Sequence, residues 1–140
     1  MAAAVADFQT EQVADQKIKK TKDALEFNIK LIRTPDILLA VKAQKETVGQ
    51  PKITIGFAAE TQNLIDNAKS KLASKGLDLI VANDVAAKDG GFGSDRNAAT
   101  LITRDGADTS LPLMPKRELA DHILDALQPF IKRAALPTPH

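Results

Sequence analysis

Apolar positions along this 140-residue chain change period several times, and the changes cut it into short segments. Residues 25–32 (LEFNIKLI) alternate strictly, with Leu25, Phe27, Ile29 and Leu31 on one face and Glu26, Asn28 and Lys30 on the other. That pattern predicts a half-exposed strand, an arm pairing outside the main sheet. Residues 2–6 (AAAVA), 52–59 (KITIGFAA) and 77–82 (LDLIVA) are more continuously apolar, as interior strands are, and read as strands. Residues 98–103 predict a further strand, and Asp105-Gly106 a turn. Three stretches carry helical spacing instead. Thr34-Pro35 supplies a cap and a first position for a helix whose apolar face is Ile37, Leu38 and Val41. Thr61 is expected to cap a second helix, with Leu64, Ile65, Ala68 and Leu72 inward and Gly76 ending it. Pro115 opens a third on Leu119, Ile123, Leu127 and Phe130, which Pro129 should kink or end early. Residues 7–22 are polar and lysine-rich and read as a loop, and Pro137 to His140 as a frayed tail.

Strands alternating with helices predict an α/β fold with a parallel sheet and right-handed crossovers. No internal repeat, low-complexity tract or second domain is evident. Opening on an apolar strand is unusual for a whole domain, because such a strand needs neighbours on both sides.

Composition narrows the chemistry. Apolar residues at 44% and charged residues at 26% are ordinary for a globular domain. A formal charge of +1 argues against attachment to nucleic acid or an anionic membrane by bulk charge. Without cysteine there are no disulfides, thiolate zinc sites, iron–sulfur clusters or cysteine nucleophiles. Two histidines, His122 and His140, are too few for a histidine-rich metal site, and five Phe with no Trp or Tyr offer little for stacking on bases. MAAAVAD has no basic leader, and no apolar run approaches the ~20 residues of a membrane span, so a cytoplasmic location is expected.

In open α/β sheets ligands settle at the carboxyl ends of strands. The groups expected there are Asp7, Phe57 to Thr61, Asn83, Asp84 and the loop GGFGSDRN from Gly90 to Asn97. A helix starting at Thr61 would also aim free N–H groups at that edge, which suits an anion. GGFGSD is not GxGxxG and no GxxxxGK[ST] occurs, so neither usual phosphate loop is present; the glycines alone read as a surface turn. Lys17, Ile18, Lys19 and Lys20 are either a solvated loop or a cationic lid over a polyphosphate. Lys71 and Lys75 share a helical face, either complementing the helix dipole or forming a cationic wall. His122 reads as structural, Asp78 as a strand-edge charge, and Asn83 with Asp84 as either a hydrogen-bonding pair or turn caps.

Taken in order, AAAVADF, KIKK ten residues after Asp7, TPDIL, GFAAET, AxxKLxxKGLDLIVANDV, GFGSDRN and KRELA resemble phosphopantothenoylcysteine synthetase (phosphopantothenate–cysteine ligase). In that family the ligase is usually the C-terminal half of a bifunctional coenzyme A biosynthesis flavoprotein. The resemblance runs from about Ala2 to Ile131. It implies a Rossmann-like, mostly parallel sheet flanked by helices with a projecting arm, residues 1–133 being the C-terminal portion of the ligase domain and 134–140 a tail. It implies CTP with Mg²⁺, 4′-phosphopantothenate and L-cysteine as partners, with an acyl-cytidylate intermediate. FMN would belong to the decarboxylase half of a bifunctional parent. By resemblance, Ala3, Ala4 and Asp7 lie around CTP, and Lys17 is the catalytic lid lysine. Pro35, Asp36, Ile37 and Leu38 contact the cytidine portion, Phe57 the nucleotide, and Lys71 and Lys75 complete the CTP site. Leu25–Ile32 matches the arm through which family members form homodimers. The family's upstream half, with a Gly-rich turn and a catalytic asparagine, has no match in this sequence, and Asn83 does not replace that asparagine. The chain is therefore expected to be a fragment inactive alone. Two other classes stay open: a non-catalytic dimerisation or nucleotide-binding module, and an unrelated oxidoreductase, disfavoured by the missing dinucleotide fingerprint.

Overall fold

The structure, a computed structural model, describes residues 5–18, 28–60, 63–84 and 93–135. The chain divides into two compact units, Met1–Ile37 and Leu38–His140. In the first, β1 (Phe8–Thr10) and β2 (Leu31–Arg33) form an antiparallel ribbon, Phe8 opposite Arg33 and Thr10 opposite Leu31. Thr34 closes its base: its N–H donates to the Asp7 carbonyl at 3.0 Å and its hydroxyl to the Ala6 carbonyl at 2.7 Å.

After α1 (Ile37–Val48), the second unit continues with β3 (Ile55–Glu60), α2 (Leu64–Lys75), β4 (Leu79–Asp84), β5 (Arg96–Thr103), β6 (Asp108–Pro115) and α3 (Lys116–Ala135). Its sheet has the order β3-β4-β5-β6. Strand alternation puts two apolar sets on its two faces. Leu79, Val81, Ala99, Leu101 and Met114 meet Leu119, Ile123, Leu127 and Phe130 of α3. Ala58, Ile80, Ala82 and Ile102 meet Ala68 and Leu72 of α2. Each fully buried Leu or Ile side chain contributes roughly 1.5–3 kcal/mol, so this unit carries its own core. Gly56 allows the close approach of β3 to the second set, since a Cβ there would lie 2.4 Å from Leu77 Cδ1. Gly76, at φ 62°, ends α2 and returns its N–H to the Ala73 and Leu72 carbonyls.

The α/β fold holds, but the sheet is mixed among the described strands. Only β3–β4 is parallel, where α2 provides the crossover; β4–β5 and β5–β6 are antiparallel. β6 lies where the sequence predicts only a turn leading to a helix. Asp105-Gly106 is the tip of a hairpin, and the Pro-containing DTSLPLMP is its returning, edge strand. Residues 8–10, expected in a loop, are strand because the backbone of residues 31–33 pairs with them.

Helix boundaries differ as well. α1 begins at Ile37, two residues beyond Pro35, because Thr34 is engaged with Ala6 and Asp7 instead of capping. α2 is preceded by Asn63, whose side chain makes no cap bond; Thr61 lies outside the described residues. α3 passes Pro129 and continues to Ala135. Pro129 removes the bond to the Asp125 carbonyl, but both residues sit on the exposed side while Leu127 and Phe130 anchor the helix. No helix among the described residues is long and apolar enough to cross a membrane.

Candidate functional site

β3 and β4 bring their carboxyl ends to one edge, Ala59 opposite Asn83, and antiparallel β5 starts at the same edge. Asn97 Nδ2 donates to Asn83 Oδ1 at 3.0 Å, tying the end of β4 to the start of β5. The Asn97 side-chain oxygen is buried with no partner, an acceptor left open. Beside it, Arg96 is held by its N–H to Ser94 Oγ at 3.1 Å and by Nη2 to the Leu113 carbonyl at 2.9 Å. The sequence places Asn83 and Asp84 together at this strand tip; in the structure the Asn83 side-chain oxygen is engaged by Asn97. The antiparallel pairing of β4 with β5 brings position 97 beside 83, a long-range pairing for which the local sequence carries no signal.

The expected ligand residues fall into both units. Asp7 lies in the first, its carbonyl taken by Thr34. Lys17 is exposed beside exposed Ile18, whereas Lys19 and Lys20 lie outside the described residues, as do Ala3 and Ala4. Pro35 and Asp36 precede α1, and Ile37 and Leu38 begin it. Leu38 is half-buried against the α2-side core.

Phe57 is 65% exposed although it sits in a strand. Its neighbours Gly56 and Ala58 face α2, so Phe57 projects from the other face of the sheet. Lys71 and Lys75 stand one turn apart on α2, which runs back from the carboxyl edge. The fold thus brings the two lysines together and leaves Phe57 on the opposite face. Lys75 lies in the last turn, where a cation also complements the helix dipole. His122 is exposed on α3.

The opposite edge holds the charge cluster the sequence least suggested. Asp78, read as a strand-edge charge, is buried just before β4. Its Oδ2 accepts from Lys45 Nζ at 2.6 Å and the Thr54 N–H at 2.9 Å; its Oδ1 accepts from Arg104 Nη1 at 2.9 Å. One carboxylate thus ties α1, the lead into β3 and the β5–β6 turn together. Its position in the apolar run LDLIVA was the available signal, since a charge there must be paired.

Over residues 1–130 the chain matches the family described as DNA/pantothenate metabolism flavoprotein C-terminal domain. It is 46% identical over 122 residues to the coenzyme A biosynthesis bifunctional protein CoaBC of Vibrio cholerae, covering 87% of this chain and 30% of that protein. With the protein of the same name from Bacillus subtilis it shares 43% over 131 residues, covering 94% and 31%. The chain therefore spans less than a third of the length of these relatives. Among solved structures, the C-terminal domain of CoaBC superposes with a TM-score of 0.67 at 32% identity, covering 94% of this chain and 53% of that one. A DNA/pantothenate metabolism flavoprotein from Streptococcus pneumoniae shares the fold, with a TM-score of 0.61 at 24% identity over 80% of this chain and 46% of that one.

Proposed function

Because this chain belongs to the DNA/pantothenate metabolism flavoprotein C-terminal domain family, we propose that it supplies the nucleotide-binding portion of a CTP-dependent phosphopantothenate–cysteine ligase in coenzyme A biosynthesis. The observation that carries this reading is the family match itself, which runs through residues 1–130 and takes in every candidate ligand position.

On this reading a carboxylate oxygen of 4′-phosphopantothenate attacks the α-phosphorus of CTP, pyrophosphate leaves, and an acyl-cytidylate forms. The cysteine amine then attacks the acyl carbon and CMP leaves. Lys71 and Lys75 offer ammonium groups from one helical face to the triphosphate. Lys17, on an exposed irregular segment, closes over the phosphates as negative charge redistributes, which favours the transition state over the ground state. Asp7, Ala3 and Ala4 line the nucleotide, and residues 35–38 contact its cytidine portion. Mg²⁺ would accompany the triphosphate and neutralise part of its charge.

The carboxylate side of the reaction falls to sequence that the relatives have and this chain does not match. Lys17, Lys71, Lys75 and the other candidate residues all serve the nucleotide, and in-line attack needs both reactants held. The chain alone is inactive on this account. The ribbon exposes Phe8, Ile29 and Leu31, each more than half accessible, and the Leu25–Ile32 arm joins two copies into a homodimer.

Pyrophosphate release with CTP, phosphopantothenate and cysteine tests the proposal, using the chain alone and then with the upstream half of a relative added in trans. Release is expected only in the combined sample, with CTP preferred over ATP and turnover lost in Lys17→Gln. Equal release from ATP, or none in the combined sample, would contradict it.

A further inference from the structure

At the amino-terminal edge of the second unit's sheet, a cavity of about 180 Å³ opens between the lead into β3, the β5–β6 turn and the last turns of α3. We propose that this cavity is an anion site that takes a phosphate group through Lys52, Arg104 and Arg133.

Three observations carry the proposal. The cations come from three separate elements and line one small space, so the fold, not a run of sequence, gathers them. Arg104 is pre-oriented: Nη1 is committed to the buried carboxylate of Asp78, while half of the side chain stays exposed with Nε and Nη2 available. A guanidinium fixed along one edge presents the other as a fork suited to two oxygens of a tetrahedral anion. Finally, the charge is in excess. Lys45, Lys52, Arg104 and Arg133 face Asp78 and Asp105, and Lys45 shares the neutralisation of Asp78.

Opposing charge at this edge is largely neutralised, that of Asp78 by Lys45 and Arg104. Asp105 feels the Arg133 charge, but it is fully exposed and accepts its main bond from Thr103. The carbonyl end of α3 also lies at this edge, and Lys132 and Arg133 in its last turn offset it. Lys52 and Arg133 have no ion-pair partner among the described residues. Asp78 also lines the cavity, its two oxygens occupied by Lys45, the Thr54 N–H and Arg104. Ile53, Phe130 and Ala134 complete the lining, apolar surface able to take the first atoms of an organic phosphate. The ligand class is therefore a phosphate, free or as a phosphomonoester.

The test is a titration of the full chain with inorganic phosphate and, separately, phenyl phosphate, followed by backbone amide NMR. Saturable shifts are expected at residues 52–53, 104–105 and 133–134. Arg133→Gln and Lys52→Gln, both at exposed positions, should each weaken the fitted affinity by about tenfold while leaving the rest of the spectrum in place. Tighter phenyl phosphate would assign the site to an organic phosphate, and equal affinities to the free ion; both support the shared chemistry. An adventitious ion only, seen as non-saturating shifts over all surface cations and unchanged in the two variants, would overturn the proposal. So would saturable binding centred elsewhere. The substitutions leave Lys17, Lys71 and Lys75 untouched, so failure of the anion site is distinguishable from failure of the ligase reading.

Discussion

The two units of this chain manage apolar surface in opposite ways. Unit 2 buries Leu79, Ile80, Val81 and Ile102 almost completely, between helices on both faces of its sheet. Unit 1 pairs two three-residue strands whose residues are all exposed, and leaves Val5, Phe8, Ile29 and Leu31 more than half accessible. An isolated two-stranded ribbon is marginal in water. The contrast separates a self-supporting scaffold from a ribbon whose apolar residues wait for a second surface.

The sharpest way to break the contrast is to attack the staple of the scaffold. Asp78→Ala removes a buried carboxylate that two cations and a backbone N–H depend on, and leaves the half-buried Lys45 ammonium uncompensated. A loss of about 3–5 kcal/mol is expected in urea unfolding of unit 2. A loss below ~1 kcal/mol would mean that water replaces the staple. A comparable substitution in the ribbon, Leu31→Ala, should move the same transition by no more than about 0.5 kcal/mol. The ribbon should instead respond in assembly. If the proposed homodimer forms, Ile29→Asp with Leu31→Asp is expected to convert it to monomer in sedimentation with the unit 2 transition intact; a dimer that persists would place the interface elsewhere.

The smallest effect expected is electrostatic. Asp105 lies at the hairpin tip, where the Thr103 hydroxyl holds its carboxyl below the ordinary aspartate range. A carboxylate whose pKa is lower folded than unfolded stabilises above the unfolded value and loses that contribution as pH falls through the folded one. Urea midpoints followed downward from about pH 4 should therefore fall less steeply in Asp105→Asn than in the wild type; identical slopes would remove Asp105 from the acid response.

The sequence was legible where one period ran long enough to fix an element. The stripe of α3 and the continuous apolar runs of β3 and β4 emerged from spacing alone, because burial on one face or both writes that pattern. β6 did not emerge, since Pro112 and the alternating polar residues of an edge strand look like a loop until β5 pairs with them. β1 was hidden for the same reason, its pairing being decided by residues more than twenty positions away. At the candidate site, spacing placed Lys71 and Lys75 on one face. It could not show that Phe57 projects from the other side of the sheet, nor that Asn97 folds back onto Asn83. Those placements depend on strand pairing, a long-range fact.

The proposed function turns on whether this scaffold carries the nucleotide end of a CTP-dependent ligase beside Lys71 and Lys75 of α2. Calorimetric titration of the whole chain with CTP and Mg²⁺ tests it most directly, with ATP as the comparison and Lys71→Ala plus Lys75→Ala as the variant. The account predicts saturable binding that prefers CTP and weakens by about 1–3 kcal/mol for each lysine removed. Equal CTP affinity in the wild type and the double variant would contradict it.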